Sequence, residues 1–423
     1  MLNQRKIALD ALLAVDKNFG YSNLVLSDIF KNNDVPQADR SFITALFYGV
    51  LDRRITLDYI ISKFTSKPIK RIKPITLNSL RIALYQILYM KKVPESAAVN
   101  ESVKLVKASK ESYNAAFINA VLRNFLRNGI DLPDDNSVSS LEIRYSCPAW
   151  IIESFINDYG IDNAIRILEH SLSEPKTTLR INPLLISDDD FISRLKNSGI
   201  SASLNRIPHA AVLEEGIDIT VLPEYKEGLF HIEDLPSQIA VTKLALKAGE
   251  SLLDLCAAPG GKTFTAAQDA NNAAKITACD VFEHRVNLIK SGAKRLKLDN
   301  ITAIQDDSTV FDKTLGKFDA VICDVPCSGL GVIRRKPEIK YKENLDIKEL
   351  EAIQRKILIN ASGYLKPGGR LLYSTCTLRT GENEQIVRDF LSINNSITLE
   401  YEHTFLPNID GTDGFYFALL KNR

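Results

Sequence analysis

The sequence contains no apolar run near the roughly 18 residues that a membrane-spanning helix requires. Its first residues, "MLNQRKIALDALLAVDKNFG", show no signal-peptide cleavage site. Internal repeats and low-complexity tracts are also missing. These absences predict a cytoplasmic chain with no membrane partner.

Cysteine is too sparse for a disulfide framework or a zinc site. The chain has six cysteines and no secretory signal, which predicts reduced thiols. Cys323 and Cys327 are separated by three residues, but neither a second pair nor closely spaced histidines complete a zinc pattern. We therefore expect no bound metal.

Charge is nearly balanced overall, at +1 in 423 residues, but it is unevenly distributed. Residues 1–130 contain 20 Lys and Arg against 10 Asp and Glu, whereas the remainder contains 33 against 42. A surplus of cations in one segment suits a polyanionic partner, although scattered solvated cations would give the same count. Its densest cluster is Lys63, Lys67, Lys70, Arg71 and Lys73.

The first part of the chain has helical periodicity. Stretches such as "RSFITALFYGVLDRRITLDYIISKF" repeat apolar residues every three or four positions, and Pro68, Pro74 and Pro94 fall in the breaks. The run "GIDLPDDNS" then gathers turn-forming residues and acids. We predict an all-α domain over residues 1–130, followed by a small α+β subdomain over residues 138–235 that includes the strand "TTLRINPLL".

Residues 236–423 alternate between strands and helices. The apolar stretches "SLLDLC", "KITACD", "NITAIQ", "FDAVICD" and "GRLLYSTC" are separated by helical sequences such as "HRVNLIKSGAKRLKL". This alternation predicts an α/β fold, a doubly wound parallel sheet. A final apolar pair near "TFLPN" and "GFYFALLKN" could add an antiparallel edge strand.

A glycine-rich turn follows the first strand, in "LLDLCAAPGGKTFTAA". Its ending is similar to a phosphate-binding Walker A loop, but Cys256 stands where that pattern needs its first glycine, and no GxGxxG motif is present. ATP and NAD are therefore disfavoured. A nucleoside cofactor without pyrophosphate, such as S-adenosylmethionine, needs no phosphate cradle and fits better.

Acidic residues at the ends of the next strands extend this predicted cofactor site. Asp280 ends the second strand, where a carboxylate typically binds ribose hydroxyls, although a helix N-cap is an alternative role. Asp307 or its neighbour Asp306 ends the third strand and could face the adenine. Lys262 could meet the methionine carboxylate.

Two cysteines lie just past the ends of predicted strands, Cys327 in "FDAVICDVPCSG" and Cys376 in "GRLLYSTCTL". If those strands are neighbours, both sulfurs face one cleft. Beside a methyl donor, a thiolate that adds to carbon 6 of cytosine would make carbon 5 nucleophilic enough to take the methyl group. Asp324 could hydrogen-bond or protonate N3 of the base, and Lys262 or Arg334 could stabilise the thiolate.

These segments closely resemble the RNA cytosine-5 methyltransferases, and the whole chain resembles the bacterial 16S ribosomal RNA type with a NusB-like helical N-terminal domain. The signatures are Cys-Ala-Ala-Pro-Gly-Gly-Lys, Asp-Val-Pro-Cys-Ser-Gly and Ser-Thr-Cys-Thr, and "RIN" and "RRKPEIKY" add weight. The resemblance implies a Rossmann-like S-adenosylmethionine-dependent catalytic domain acting on 16S ribosomal RNA, in a chain expected to be a monomer.

The resemblance also assigns roles that spacing alone left open. It implies that Cys376 is the nucleophile and that Cys327 assists its release. The residues that it implies for cofactor binding are Cys256, Ala257, Ala258, Pro259, Gly260, Gly261, Lys262, Asp280, Asp307 and Asp324. Asp306 stands where the family usually has a glycine, so Asp306 remains an alternative to Asp307.

Other readings of the sequence remain open. A non-catalytic RNA-binding factor would explain only the helical part, a P-loop nucleotidase would need ATP, and an enzyme acting on tRNA would carry the same motifs. A target cytosine must be unpaired or flipped for thiol attack, which accessible loops of structured RNA allow. Cations that could grip the RNA include Arg334, Arg335 and Lys336.

Overall fold

The computed structural model describes residues 3–18, 22–342 and 346–423. The chain forms two units. One combines Met1–Ser173 with Ile333–Asn344, and the other combines Glu174–Val332 with Leu345–Arg423. We call them the helical unit and the catalytic unit.

The helical unit is built from amphipathic helices, as the apolar periodicity predicts. Its helices are α1 Gln4–Asn18, α2 Ser22–Asn32, α3 Gln37–Asp52, α4 Arg54–Lys63, α5 Pro74–Tyr89, α6 Glu95–Lys107, α7 Ala115–Asn128, α8 Val138–Tyr145 and α9 Ala149–Ser171. Proline opens α5 at its first turn, where the missing N–H costs nothing. Gly129 ends α7 at a φ of +60°, in the left-handed region that favours glycine.

The helical unit includes a segment from far along the chain. Glu338 accepts hydrogen bonds from the backbone N–H and the hydroxyl of Ser22, at 3.2 and 2.8 Å. Lys340 is buried and donates to the carbonyl oxygen of Asp52 at 3.0 Å, and the Tyr341 hydroxyl donates to that of Leu51 at 2.9 Å. No pattern in the sequence indicates this arrangement.

The catalytic unit begins with a small antiparallel sheet in the order β2-β3-β1-β4. Its elements are β1 Thr177–Ile181, α10 Asp188–Asn197, β2 Ala202–Leu204, β3 Ala210–Leu213, α11 Pro223–Lys226 and β4 Phe230–Ile232. Strand β1 coincides with the start of the predicted strand "TTLRINPLL" and stops before Pro183, which has no N–H for a sheet.

A larger mixed sheet follows, with seven strands among the described residues, in the order β10-β11-β9-β8-β5-β6-β7. Its elements are α12 Leu235–Leu244, β5 Ser251–Asp254, α13 Gly261–Asp269, β6 Lys275–Asp280, α14 Glu283–Leu296, β7 Ile301–Gln305, β8 Phe318–Asp324, α15 Ile347–Gly363, β9 Leu365–Thr375, α16 Glu384–Ile393, β10 Ile397–Phe405, α17 Pro407–Asp410 and β11 Phe415–Asn422. The predicted α/β, Rossmann-like fold is confirmed.

Both faces of this sheet are covered, which explains why its strands are continuously apolar. Leu252 packs in the core cluster that includes residues of α12, α13 and α14, whereas Leu253, its neighbour in β5, packs in the cluster that includes residues of α15 and α16. The C-terminal hairpin supplies the antiparallel part: β11 pairs with β9, and β10 forms the edge. Among the described residues, no helix combines the length and apolar character needed to cross a membrane.

The strand order reverses at β5. The chain runs outward from β5 to β6 and β7, then returns to form β8 on the other side of β5. Ligands of such sheets bind beyond the carboxyl ends of the strands at this reversal. The turn after β5 and the loop after β8 therefore occupy the expected binding position.

Candidate functional site

The predicted cofactor loop occupies the turn from β5 into α13. Gly260 has a φ of +117°, and a Cβ atom there would lie 2.2 Å from the ring of Phe264, so the turn requires glycine. Gly261 begins α13, and a Cβ atom on it would lie 3.3 Å from a carboxylate oxygen of Glu233. Ala258 accepts a hydrogen bond from Arg285 at 2.8 Å. The loop is thus shaped by close packing beneath it.

Asp280 lies at the carboxyl end of β6, beside this loop, and is buried. One of its oxygens accepts the N–H of Phe282 at 3.2 Å, and the other lies 3.1 Å from Arg285. The N-cap of α14 is Phe282 rather than Asp280. Each carboxylate oxygen has a further lone pair, so Asp280 can still accept ligand hydroxyls.

The two candidate acids after β7 differ in their surroundings. Asp307 is exposed and accepts hydrogen bonds from the backbone N–H and hydroxyl of Thr309, at 3.0 and 2.7 Å. Asp306 is half-buried, and one of its oxygens is buried with no hydrogen-bond partner among the described residues. Burial raises the pKa of Asp306, and Asp312 and Asp307 add to the effect. Both acids remain candidates for the adenine side.

Two buried acids near the loop were not singled out from the sequence. Asp254 ends β5 and accepts the hydroxyl of Thr263 at 2.6 Å. Burial tends to raise the pKa of Glu233, but His231 and Lys262 outweigh it, so the pKa is lowered. A lone Asp at a strand end and a Glu before a helix give no signal of this burial.

Lys262 and Asp324 form an ion pair at the place where the strand order reverses. The Lys262 ammonium lies 2.9 Å from one oxygen of Asp324, and Ser374 donates its hydroxyl to the other oxygen at 2.7 Å. Burial alone would lower the pKa of Lys262, but Asp324 and Glu233 outweigh burial and raise it. Lys262 therefore stays protonated and holds Asp324 in place.

The sulfur atoms of the two predicted cysteines are in contact. Strands β8 and β9 are parallel neighbours with Asp324 opposite Ser374, and the Sγ atoms of Cys327 and Cys376 lie 3.4 Å apart. Both side chains are half-buried, and neither sulfur is in a disulfide. The hydrogen bond with Cys376 is the largest cause that raises the pKa of Cys327, followed by burial and by the charges of Cys376 and Glu382.

The contact between the two sulfurs lets them share one proton. Either sulfur can be the donor, and the raised pKa of Cys327 favours Cys327 as the one that keeps the proton. Cys376 also interacts electrostatically with Lys262, which is a cation of the kind that stabilises a thiolate. The geometry thus supplies one sulfur suited to be a nucleophile and one suited to hold a proton.

The loops that carry the cysteines are locked together through backbone contacts. Gly331 donates its N–H to the carbonyl oxygen of Cys376 at 3.0 Å and accepts the N–H of Gly414 at 2.8 Å. A Cβ atom on Gly331 would lie 2.1 Å from the Gly414 carbonyl oxygen. The buried Glu382, which no sequence motif singled out, also contacts the loop after Cys327.

Arg334, the other cation proposed for the thiolate, belongs to the helical unit. Its guanidinium lies 3.3 Å from Nε2 of His170 and donates to the Ser173 hydroxyl at 3.3 Å. Lys262 is therefore the proposed cation that the catalytic unit itself brings to the cysteines.

Comparison with known protein families gives three matches along the chain. Residues 241–421 match the model described as 16S rRNA methyltransferase RsmB/F. Residues 2–127 match the NusB family, and residues 147–220 match the ferredoxin-like domain of RsmF/B-like methyltransferases.

The similarity to known proteins extends over the whole chain. The chain is 34% identical to a probable ribosomal RNA small subunit methyltransferase B of Bacillus subtilis, covering 99% of this chain and 98% of the relative. It is 34% identical to ribosomal RNA small subunit methyltransferase B of Proteus mirabilis, covering 100% and 99%. The crystal structure of PH0851 covers 100% of this chain and 99% of its own, with a TM-score of 0.85 at 24% identity, which supports the fold.

Proposed function

The chain belongs to the 16S rRNA methyltransferase RsmB/F family, and we propose that it methylates carbon 5 of a cytosine in 16S ribosomal RNA. We propose S-adenosylmethionine as the methyl donor and a covalent bond between Cys376 and carbon 6 of the base as the intermediate. The observation that carries this proposal is the 3.4 Å contact between the sulfurs of Cys327 and Cys376, beside the ion pair of Lys262 and Asp324.

The residues around the loop fit a nucleoside with an amino-acid tail. Asp280 can accept ribose hydroxyls, Asp307 or Asp306 can face the adenine, and Lys262 can meet a carboxylate. A buried oxygen of Asp254 has no hydrogen-bond partner among the described residues and lies at the start of the same loop. S-adenosylmethionine, when bound, supplies an electrophilic methyl group. Residues 256–261 would provide the backbone contacts to the cofactor.

Cys376 acts first in the proposed reaction. Its thiolate adds to carbon 6, and the electron pair of the double bond between carbons 5 and 6 becomes available for carbon 5 to take the methyl group. Asp324, fixed by Lys262 and Ser374, is positioned to bond the polar edge of the base or the cofactor. Stabilising charge on the ring in this way lowers the barrier to thiolate addition.

Cys327 acts in the release step. Once Cys376 is bonded to the base, it no longer carries the thiolate whose hydrogen bond and charge raise the pKa of Cys327, so Cys327 loses a proton to solvent more easily. The Cys327 thiolate then takes the proton from carbon 5. That electron pair re-forms the double bond, the bond between carbon 6 and sulfur breaks, and Cys376 leaves as a thiolate.

Substitution of each cysteine tests the assignment. Cys376→Ala should abolish tritium transfer from labelled S-adenosylmethionine to 16S ribosomal RNA, because no adduct forms. Cys327→Ala should accumulate a protein–RNA adduct that survives denaturing electrophoresis, because release is blocked. Nucleoside analysis of the RNA should show 5-methylcytidine only with active enzyme.

Cys323→Ala is the matched control. Cys323 lies in β8, four residues before Cys327, but it is fully buried in the core and should retain activity. An adduct that persists in Cys376→Ala would reverse the roles of the two cysteines. Methylation at another position of the base would contradict the proposed chemistry.

A further inference from the structure

Glu382 lies in the turn between β9 and α16, and its side chain is completely buried. Its carboxylate accepts the backbone N–H of Ser328 at 2.8 Å, the Ser328 hydroxyl at 2.6 Å and the Gln354 amide at 2.9 Å. These three groups are all donors, so the arrangement fits an ionised carboxylate that only accepts. A buried charge is retained in a fold where hydrogen bonds and paired charges compensate its desolvation, and the Arg379 guanidinium lies 3.5 Å from the same carboxylate.

These contacts hold the loop of Cys327 on both sides. Ser328, which follows Cys327, is bound directly through its backbone and its hydroxyl. Pro326, which precedes Cys327, is bound indirectly, because the Gln354 amide that donates to Glu382 also donates to the Pro326 carbonyl oxygen at 3.0 Å. The residues on both sides of Cys327 are thus held in place, which restricts the position of its sulfur.

The same turn holds the loop of Cys376. The Thr377 hydroxyl lies 2.7 Å from the Ser328 hydroxyl and donates weakly to Glu382 at 3.4 Å. Asn383 accepts the Thr375 hydroxyl at 2.5 Å and donates to the Thr377 carbonyl oxygen at 3.0 Å. Both neighbours of Cys376 are therefore fixed to the dipeptide that includes Glu382.

We propose that Glu382 is a positioning residue that holds the loops of Cys327 and Cys376 together and so keeps the two sulfurs in contact. It is not a catalytic residue, since its carboxylate bonds the neighbours of the cysteines rather than the reacting atoms. Its charge also contributes to the raised pKa of Cys327, after the larger effects of the hydrogen bond with Cys376, burial and the charge of Cys376. The inference rests on the proposed function for its role in catalysis, but the sulfur contact can be measured without any reaction.

Phenylarsine oxide provides that measurement on the full chain. This trivalent arsenical condenses with two adjacent thiols, forming two arsenic–sulfur bonds and releasing one water. Wild-type protein should take up one equivalent, detected by intact mass, and Cys327→Ser should lose the tight binding. Failure of the wild type to bind the reagent would show that the two thiols are not in contact and would overturn the proposal.

Glu382→Gln is the decisive variant, because it keeps the size of the side chain but replaces one acceptor oxygen by a donor. The affinity for phenylarsine oxide should fall about 10- to 100-fold, the range spanned by losing a charge-assisted hydrogen bond. Methyl transfer should fall by a similar factor in kcat with little change in KM for RNA. Glu384→Gln, the same change two residues away, should leave the affinity for the arsenical unchanged, since Glu384 instead accepts the Thr404 hydroxyl.

A second variant and the methyl-transfer assay complete the test. If Glu382→Gln does not fold, Ser328→Ala removes one of the same contacts and should lower the arsenical affinity several-fold. Wild-type affinity in either folded variant would refute the positioning role. If no protein, wild type included, methylates cytosine, the proposed function is contradicted. If phenylarsine oxide binding nevertheless weakens in the variants as expected, the positioning role stands.

Discussion

Replacing Asp254 by asparagine should change how the stability of the protein depends on pH. Asp254 is fully buried at the end of β5, with one oxygen bonded to the Thr263 hydroxyl. Burial raises its pKa from 3.8 to about 7, the neighbouring Asp324 adds to the increase, and Thr263 and Lys262 oppose it. The fold therefore favours the protonated form, whereas the unfolded chain ionises at its ordinary pKa.

The sign of the effect follows from these two values. The contribution of Asp254 to stability is fully present below pH 4, declines as pH rises and is gone above pH 7. Each pKa unit corresponds to about 1.4 kcal/mol, and the folded carboxyl is itself half ionised at pH 7, so the loss between pH 5 and pH 7 is about 2 kcal/mol. An asparagine side chain cannot ionise, so the free energy of unfolding of Asp254→Asn minus that of wild type should grow by about 2 kcal/mol over this interval.

Urea unfolding at pH 5, 6, 7 and 8 measures this difference, with the transition of the catalytic unit followed by circular dichroism. Asp319→Asn is the matched control, the same change on the neighbouring strand β8. A hydrogen bond from Lys366 is the main cause that lowers the pKa of Asp319 to about 2, so its contribution is constant from pH 5 to pH 8. Parallel curves for Asp254→Asn and wild type would refute the reasoning.

Two further predictions concern the cysteine loops and the RNA. Gly331→Ala should lower methyl transfer at least about 10-fold, because its Cβ would meet the backbone oxygens of Gly414 and Cys376 at 2.1 and 2.8 Å, and overpacking of this kind costs about 1–3 kcal/mol. Gly216→Ala, where nothing lies within 4 Å, is the control, and equal activity of the two variants would contradict the argument. Affinity for a 16S ribosomal RNA fragment should fall at least about 10-fold between 50 and 200 mM salt if cations of residues 1–130 bind phosphates. A change below twofold in filter binding would exclude a phosphate-dominated interface.

Local pattern was sufficient to predict most of the catalytic fold. The continuous apolar runs of β5, β6 and β8 required helices on both faces of the sheet, and strand ends marked where polar side chains would gather. Strand β10 was recognised only at its end, near "TFLPN". It is an edge strand with mostly exposed or half-buried residues, so it lacks the apolar signal on which the prediction depended.

Contacts between residues distant in sequence could not be predicted. Glu338 meets Ser22 across 316 positions, and Glu382 meets Ser328 across 54. No local periodicity distinguishes these acids from solvated ones, because a carboxylate is buried only when separate segments deliver donors to it. The packing of residues 333–342 in the helical unit and the anchoring of the cysteine loops both depend on such contacts.

The choice of the nucleophile between the two cysteines likewise depends on charged groups that the fold brings close to them. Each cysteine follows a strand end, so their positions in the sequence do not show which one is the nucleophile. Only the family resemblance favoured Cys376. In the folded chain the hydrogen bond with Cys376 is the main cause that raises the pKa of Cys327, and burial and the carboxylates of Glu382 and Asp324 add to it, whereas Cys376 interacts with the ammonium of Lys262. A thiolate is favoured beside a cation and disfavoured beside carboxylates. The surroundings of the two loops therefore support the same assignment as the resemblance, by an argument that does not use it.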